Sequence, residues 1–148
     1  MKPFSPLDSL IPHKPPMRLV DAFTEVTDTV GRVTATIGED HLFLRSDKTL
    51  APEAYCEMIA QCFAACESQR REWKGLSTEG GGYLASVRDF EVLGSAKVGD
   101  LLTVSSVQQD DCFGTRIVQG EVFCEGKKLA QGTVYIFMWE GKNPPEMK

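Results

Sequence analysis

A single carboxylate interrupts an otherwise apolar run near the middle of the chain. Glu57 is followed four residues later by Gln61, and nearly every other residue from Ala54 to Cys66 is apolar. In a helix, positions four apart share a face, so Gln61 could hydrogen-bond and orient the carboxylate. A carboxylate enclosed by apolar groups has a raised pKa and suits proton transfer. The alternative is a partly exposed first-turn glutamate, stabilised by the helix dipole.

Two histidines could act with this carboxylate. His13 lies among prolines in Ile11-Pro12-His13-Lys14-Pro15-Pro16-Met17, and so stiff a backbone would hold a catalytic group in place. A surface or capping histidine is the alternative there. His41 begins the loop before the apolar run, where an ordinary loop histidine is the simpler interpretation. The residues alone therefore offer one candidate acid and two candidate bases.

The cysteines form no recognisable disulfide or metal pattern. Their number is odd, no C-x-x-C pair occurs, and only two histidines are present: Cys56, Cys62, Cys66, Cys112 and Cys124 are the cysteines. This usage is typical of reduced thiols in the cytosol, with Cys62 and Cys66 as small packing residues. We expect a cytoplasmic protein with no metal site.

The spacing of apolar residues predicts one long helix between two groups of strands. Pro52 suits the first helical turn and Gly75 the end of the helix. Because the first half of the helix is apolar around its whole circumference, it should be enclosed on all sides. Alternation and turn signals predict six strands, the last four as a meander: Met17–Val26, Arg32–Ile37, Tyr83–Leu93, Leu101–Gln109, Phe113–Cys124 and Lys127–Trp139.

These elements predict one α+β domain over residues 1–148, an antiparallel sheet wrapped around one long central helix. Residues 1–16 are rich in proline and predict an irregular lead-in, with one helical turn at Leu7–Leu10. Residues 141–148 predict a loose tail, and Gly80-Gly81-Gly82 a hinge or linker. Because open sheet edges are commonly closed by a second copy, we expect a homodimer.

The charge and the distribution of apolar residues argue against binding to nucleic acid and against a membrane span. The formal net charge is −5 and the basic residues are scattered, which argues against a nucleic-acid footprint. No apolar run approaches the roughly 18–20 residues that span a bilayer. The N-terminus also lacks the apolar region of a secretory signal.

Two segments carry a family resemblance. They are Leu10-Ile11-Pro12-His13-Lys14-Pro15-Pro16-Met17-Arg18-Leu19-Val20-Asp21 and Cys56-Glu57-Met58-Ile59-Ala60-Gln61. They resemble the opening and the central-helix motif of bacterial 3-hydroxyacyl-acyl-carrier-protein dehydratases. Val98-Gly99-Asp100 and Gly126-Lys127-Lys128-Leu129-Ala130 match later turns of that family. The resemblance covers residues 7–139, is nearest to the dehydratase-like proteins of aryl-polyene pigment clusters, and implies the hotdog fold.

The resemblance implies a reaction and assigns residues to it. In the family, a histidine and an acidic residue from the two subunits of a dimer remove water from a 3-hydroxyacyl thioester, without a cofactor. Glu57 maps onto the acidic residue. Fatty-acid dehydratases carry the histidine in a Gly-His-Phe-Pro motif, and the corresponding position here is Phe43. His13 is therefore the first choice for the base, and His41 is a displaced alternative.

The resemblance also implies how the substrate is held. Backbone N–H groups at the helix N-terminus polarise the thioester oxygen in the family. Pro52 stands where the family has glycine and has no N–H, which leaves Glu53 or Ala54 as donors. Gln61 is also assigned to substrate binding, next to the carboxylate that it orients. Apolar helix residues are predicted to line an acyl tunnel: Tyr55, Met58, Ile59 and Phe63.

Two other functions fit the same residues. One is a thioesterase in which Glu57 activates water. The other is an acyl-binding protein or a catalytically weak partner subunit, which the absent Gly-His-Phe-Pro histidine favours. The expected partners are acyl carrier protein or a coenzyme A thioester, and the expected assembly is a homodimer or a higher or hetero-oligomer.

Overall fold

The computed structural model describes residues 2–141. Within them the chain forms a single-turn 3-10 helix at Leu7–Ser9, one long helix and six strands. The bounds are β1 Ala22–Val26, β2 Val30–Thr36, α1 Glu53–Trp73, β3 Gly80–Val92, β4 Leu101–Cys112, β5 Thr115–Cys124 and β6 Lys127–Glu140. The predicted antiparallel sheet around one long helix is confirmed. Within this described part, no helix combines the length and apolar character needed to cross a membrane.

The order of strands differs from the predicted meander. The six strands pair in the order β1-β2-β4-β5-β6-β3, and every pairing is antiparallel. Only β4, β5 and β6 form a meander, whereas β3 lies beyond β6 at the sheet edge. The prediction of four consecutive strands side by side is therefore wrong. Pairing joins residues far apart in sequence, and adjacent strands along a chain are not always neighbours in a sheet.

Two local predictions also need correction. The first strand begins at Ala22 instead of Met17, because the N–H of Met17 closes a turn on the carbonyl of Lys14 at 2.7 Å. Gly80-Gly81-Gly82 is not a hinge but the start of β3, where Gly81 pairs with Trp139. A Cβ on Gly81 would lie 2.7 Å from the Trp139 ring, so the glycine makes room for the indole.

Two glycines let α1 lie close against the sheet. A Cβ on Gly31 of β2 would lie 2.4 Å from Cys66 Sγ, and one on Gly120 of β5 would lie 2.4 Å from an Ile59 methyl carbon. These distances are shorter than van der Waals contact, so only glycine fits at this spacing. The core is formed by buried side chains of the helix together with buried side chains of the strands and of the segments that connect them.

The enclosure of α1 is incomplete in the single chain. One stripe of the helix, which includes Cys56, Glu57, Ala64 and Ser68, is only half-buried. This stripe faces a groove between the lead-in and β3. The expectation of burial on all sides is therefore wrong for this face, because the sheet ends at the edge strand β3.

The lead-in is irregular but firmly held against the helix. The N–H of Ser5 donates to Gln69 Oε1 at 2.7 Å, and Trp73 Nε1 donates to the carbonyl of Pro3 at 3.0 Å. The ring of Phe4 stacks on the indole of Trp73 with centroids 5.7 Å apart. These contacts fix the path of the chain toward His13. The predicted loose tail lies outside the described residues from position 142 onward.

Candidate active site

Glu57 lies one turn into α1, on the half-buried stripe. Its side chain is 33% exposed. Gln61 Nε2 donates a hydrogen bond to Glu57 Oε1 at 3.3 Å, in the geometry expected of residues four apart on a helix. The carboxylate is therefore oriented by its own helix and open to the groove.

Gln61 also ties the lead-in to the helix. Its Oε1 accepts the N–H of Leu19 at 2.7 Å, and its Nε2 donates to the carbonyl of Met17 at 2.9 Å. The side chain is almost wholly buried. One amide therefore fixes both the carboxylate and the backbone segment that follows His13.

His13 reaches the same carboxylate from the lead-in. Its Nε2 lies 3.9 Å from Glu57 Oε1, and its side chain is 23% exposed. The distance exceeds a direct hydrogen bond and leaves room for a reacting atom or for closer approach when substrate binds. Nδ1 is buried with no hydrogen-bond partner among residues 2–141, so the packing of the lead-in positions the ring. Both residues come from one chain, whereas the family resemblance implies two subunits.

A cavity of about 330 Å³ opens over this pair. The lead-in, α1, β3 and β6 all contribute to its walls, and its lining residues are His13, Glu57, Ala60, Gln61, Ala64, Gly82, Tyr83, Leu84 and Ile136. Apart from the pair and Gln61, the lining is mostly small or apolar. A polar pair in an apolar cavity suits acid–base chemistry on a substrate with an apolar chain.

His41 is not brought to this cavity. Its Nδ1 accepts the N–H of Phe43 at 3.1 Å. Burial lowers the pKa of His41, and the nearby charge of Asp21 partly opposes this shift. The structure therefore joins His13 with Glu57 and leaves His41 as a loop residue.

The predicted tunnel residues lie in the core instead of the cavity. Met58, Ile59 and Phe63 have no exposed surface and pack between the helix and the sheet. The Tyr55 hydroxyl donates to the carbonyl of Gly94 at 3.3 Å and accepts the N–H of Ala96 at 3.1 Å. The core is closed around Met58, Ile59 and Phe63, whereas Tyr55 also borders a separate cavity of about 340 Å³. An acyl tunnel along all four residues stays a prediction.

The predicted oxyanion donors also lie away from the cavity. Glu53 begins α1 and its side chain is exposed. The N–H of Ala54 already donates to the carbonyl of Ala51 at 3.0 Å. Neither residue therefore faces the His13–Glu57 pair within its own chain.

Sequence reasoning missed most of the cavity wall. Ala60 and Ala64 follow Glu57 by three and seven residues, so helical periodicity could have identified them as its neighbours on one face. Gly82, Tyr83 and Leu84 could not be found this way. They reach the site only because β3 pairs with β6, which no local pattern predicts.

Other reactive groups near the site are poorly suited to nucleophilic or metal chemistry. Burial raises the pKa of the Cys56 thiol to about 11, so it stays protonated beside Glu57 at neutral pH. Across the described range, no three side chains of His, Cys, Asp or Glu are grouped as metal ligands would be.

Comparison with known proteins identifies the family and the fold of this chain. The model of the ApeP-like family, described as ApeP dehydratase, matches residues 5–146. A chain of the dehydratase heterocomplex ApeI:P from Xenorhabdus doucetiae is similar at 22% identity and a TM-score of 0.85, with 93% of each chain covered. No curated protein matches the sequence.

More distant structures share the architecture. A hypothetical thioesterase from Streptococcus pneumoniae, solved with coenzyme A, has 12% identity and a TM-score of 0.62, covering 82% of this chain and 87% of the other. The PaaI protein of Escherichia coli has 14% identity and a TM-score of 0.61, covering 78% and 81%. The predicted hotdog fold is confirmed by these neighbours.

Proposed function

Because this chain belongs to the ApeP-like dehydratase family, we propose that it removes water from 3-hydroxyacyl thioesters carried on acyl carrier protein. Enzymes of a dehydratase family are lyases. The observation that carries the proposal is the approach of His13 Nε2 to within 3.9 Å of Glu57 Oε1 over a mostly apolar cavity.

The pair can perform both proton transfers of the elimination. His13 Nε2 takes the proton from the carbon next to the thioester carbonyl, and the electrons of that bond form the new double bond. The bond between carbon 3 and its hydroxyl breaks, and the Glu57 carboxyl group gives a proton to the departing oxygen, which leaves as water. After water and product leave, closure of the 3.9 Å gap to hydrogen-bond distance lets His13 return its proton to Glu57, which restores both groups for the next cycle.

In this proposal, a second hotdog chain binds at the edge strand next to the active site. The similar chain from Xenorhabdus doucetiae belongs to a heterocomplex, and here β3 is an edge strand that pairs only with β6. Gly82, Tyr83 and Leu84 lie on that edge and line the cavity, so a chain added there would adjoin the site. Glu53 and Ala54 can serve as oxyanion donors if a partner protomer brings its helix N-terminus to this cavity.

The test is replacement of the carboxylate. Glu57→Gln removes the proton donor but keeps the shape, and we expect loss of dehydration with an unchanged melting temperature. The matched control is Glu39→Gln, at an exposed loop position. Mass spectrometry of 3-hydroxybutyryl acyl carrier protein measures the mass of one water lost while the acyl group stays on the carrier.

Each other outcome contradicts the proposal in a different way. Turnover by Glu57→Gln at the wild-type rate rules out the role of Glu57. Release of free acid and free carrier thiol indicates a thioesterase instead. Absence of turnover by the wild-type chain, both alone and together with a second hotdog chain, favours an acyl-binding or partner subunit.

A further inference from the structure

We propose that Ala64 sets the length of acyl chain that this protein accepts, an inference that rests on the function proposed above. Ala64 lies at the junction between the reaction cavity and a second cavity of about 190 Å³. Both cavities are lined by His13, Ala64 and Gly82, so they adjoin at these three residues, which form the junction.

The direction of the groove follows the helix. Ala64 comes seven residues after Glu57 on the same face of α1, roughly 10 Å along the helix axis. Ser68, one turn further on, lines the second cavity. A chain that starts at the acid–base pair and runs along this face therefore passes directly over the Ala64 methyl group.

The alternative direction, into the core, is closed. Met58 and Phe63 have no exposed surface, and the Tyr55 hydroxyl is bonded to the backbone at both Gly94 and Ala96. Since packed cores have few voids, the core would have to open to admit a chain. The groove needs no such change.

The second cavity has walls that can accept an uncharged chain. Leu10, Ile11, Met138 and Trp139 contribute apolar surface. Two of its charged lining residues, Glu67 and Arg116, are paired with each other. Arg71, a third, donates from Nε to the carbonyl of Ser77 at 2.7 Å. Because these groups already have partners, the chain does not have to leave one of them unpaired.

The size of residue 64 then decides what passes. Ala64 contributes one methyl group to the junction, and Gly82 contributes no side chain. Adding three carbons with Ala64→Leu would fill the junction, and because Ala64 also lines the reaction cavity, it would make that cavity smaller too. Short chains that end before Ala64 would lose less contact area than long chains that must pass it.

The experiment compares two substrates that differ only in length. We expect Ala64→Leu to lower kcat/KM for the 3-hydroxydodecanoyl thioester by about tenfold or more, and for the 3-hydroxybutyryl thioester by a factor at least about fivefold smaller. Ala64→Met serves as the second variant if Ala64→Leu does not fold. The controls are Ala64→Ser, which keeps the junction open, and Ala22→Leu, which makes the same change at an exposed site on β1.

Binding separates this inference from the proposed reaction. Calorimetric titration with dodecanoyl-pantetheine and butyryl-pantetheine measures chain selection even if no substrate is dehydrated. We expect Ala64→Leu to weaken binding of the longer ligand more than binding of the shorter one. An unchanged ratio of the two affinities, or an equal loss of both in a folded variant, would overturn the role of Ala64.

Discussion

The placement of His13 and Glu57 on one chain distinguishes this site from the cross-subunit arrangement that the family resemblance implies. The histidine comes from the lead-in before β1, and the carboxylate from the helix that follows β2. Gln61 contacts the carboxylate and the lead-in backbone, so one side chain holds both parts together. Each chain therefore carries a complete pair.

Mixing two inactive variants tests this placement. In a mixed dimer of His13→Ala and Glu57→Gln chains, neither chain has both groups, so we expect no recovery of activity. A wild-type chain paired with the double variant should remain active at one site. Differently tagged chains allow the mixed species to be purified and assayed. Recovery in the first mixture would show that the pair forms between subunits.

His41 should make stability depend on pH. Burial holds its pKa below the usual 6.5, so the unfolded chain binds a proton more readily than the folded chain. The stabilisation is therefore complete above pH 6.5 and is lost as the pH falls through the folded-state pKa. Protonation of Nδ1 would also remove the acceptor of the Phe43 N–H.

We expect the melting temperature to fall as the pH is lowered. In the His41→Asn protein, we expect the melting temperature to fall less over the same pH range. The asparagine oxygen can still accept the N–H of Phe43, but it does not titrate. Differential scanning calorimetry of both proteins over the acidic range measures the difference. Parallel curves would show that His41 does not cause the dependence.

At the scale of elements, the lead-in and α1 act as one unit. We expect Gln61→Ala to lower the free energy of unfolding by about 1–3 kcal/mol, because the N–H of Leu19 loses its buried acceptor. Urea denaturation measures this loss. Gln109→Ala, at an exposed position on β4, is the matched control.

Activity should fall further than stability alone explains in the Gln61→Ala protein. The carbonyl of Met17 loses its donor as well, and the segment after His13 is then free to move away from Glu57. We expect a lower kcat at a temperature where the variant is fully folded. Wild-type kcat in the folded variant would show that the lead-in is held without Gln61.

Local sequence patterns predicted the helix well and the strand order poorly. Pro52 and Gly75 are end signals that act within one turn, and the observed helix runs from Glu53 to Trp73. The neighbour of β3 depends on contacts across the whole sheet, so alternation could identify the strand but not its position. The same limit explains why the motifs pointed to His13 and Glu57, which lie together in the structure, whereas the β3 wall of the cavity was not predicted.

At the scale of the whole molecule, the unpaired edge of β3 is the surface at which we expect another chain to bind. Its 13 residues pair on one side only, and Val87, Val92 and Leu93 near it are exposed. Edge strands of this length are open to pairing with another chain. Such pairing would also cover the half-buried stripe of α1 that carries Glu57.

We expect Val87→Lys to weaken the assembly, because a charge would replace an apolar side chain on this edge. Light scattering coupled to gel filtration measures the mass over a dilution series. Leu101→Lys makes a similar change on an exposed residue away from this edge. If Leu101→Lys dissociates the protein and Val87→Lys does not, another surface forms the interface.

A same-chain pair also matters for how such complexes evolve. Because one gene encodes both His13 and Glu57, duplication of that gene copies both of the proposed catalytic groups at once. One copy can then lose both residues while the other keeps a working site. The freed copy is open to specialise in docking or in chain recognition, which is a short route from a symmetric dimer to a pair of unequal subunits.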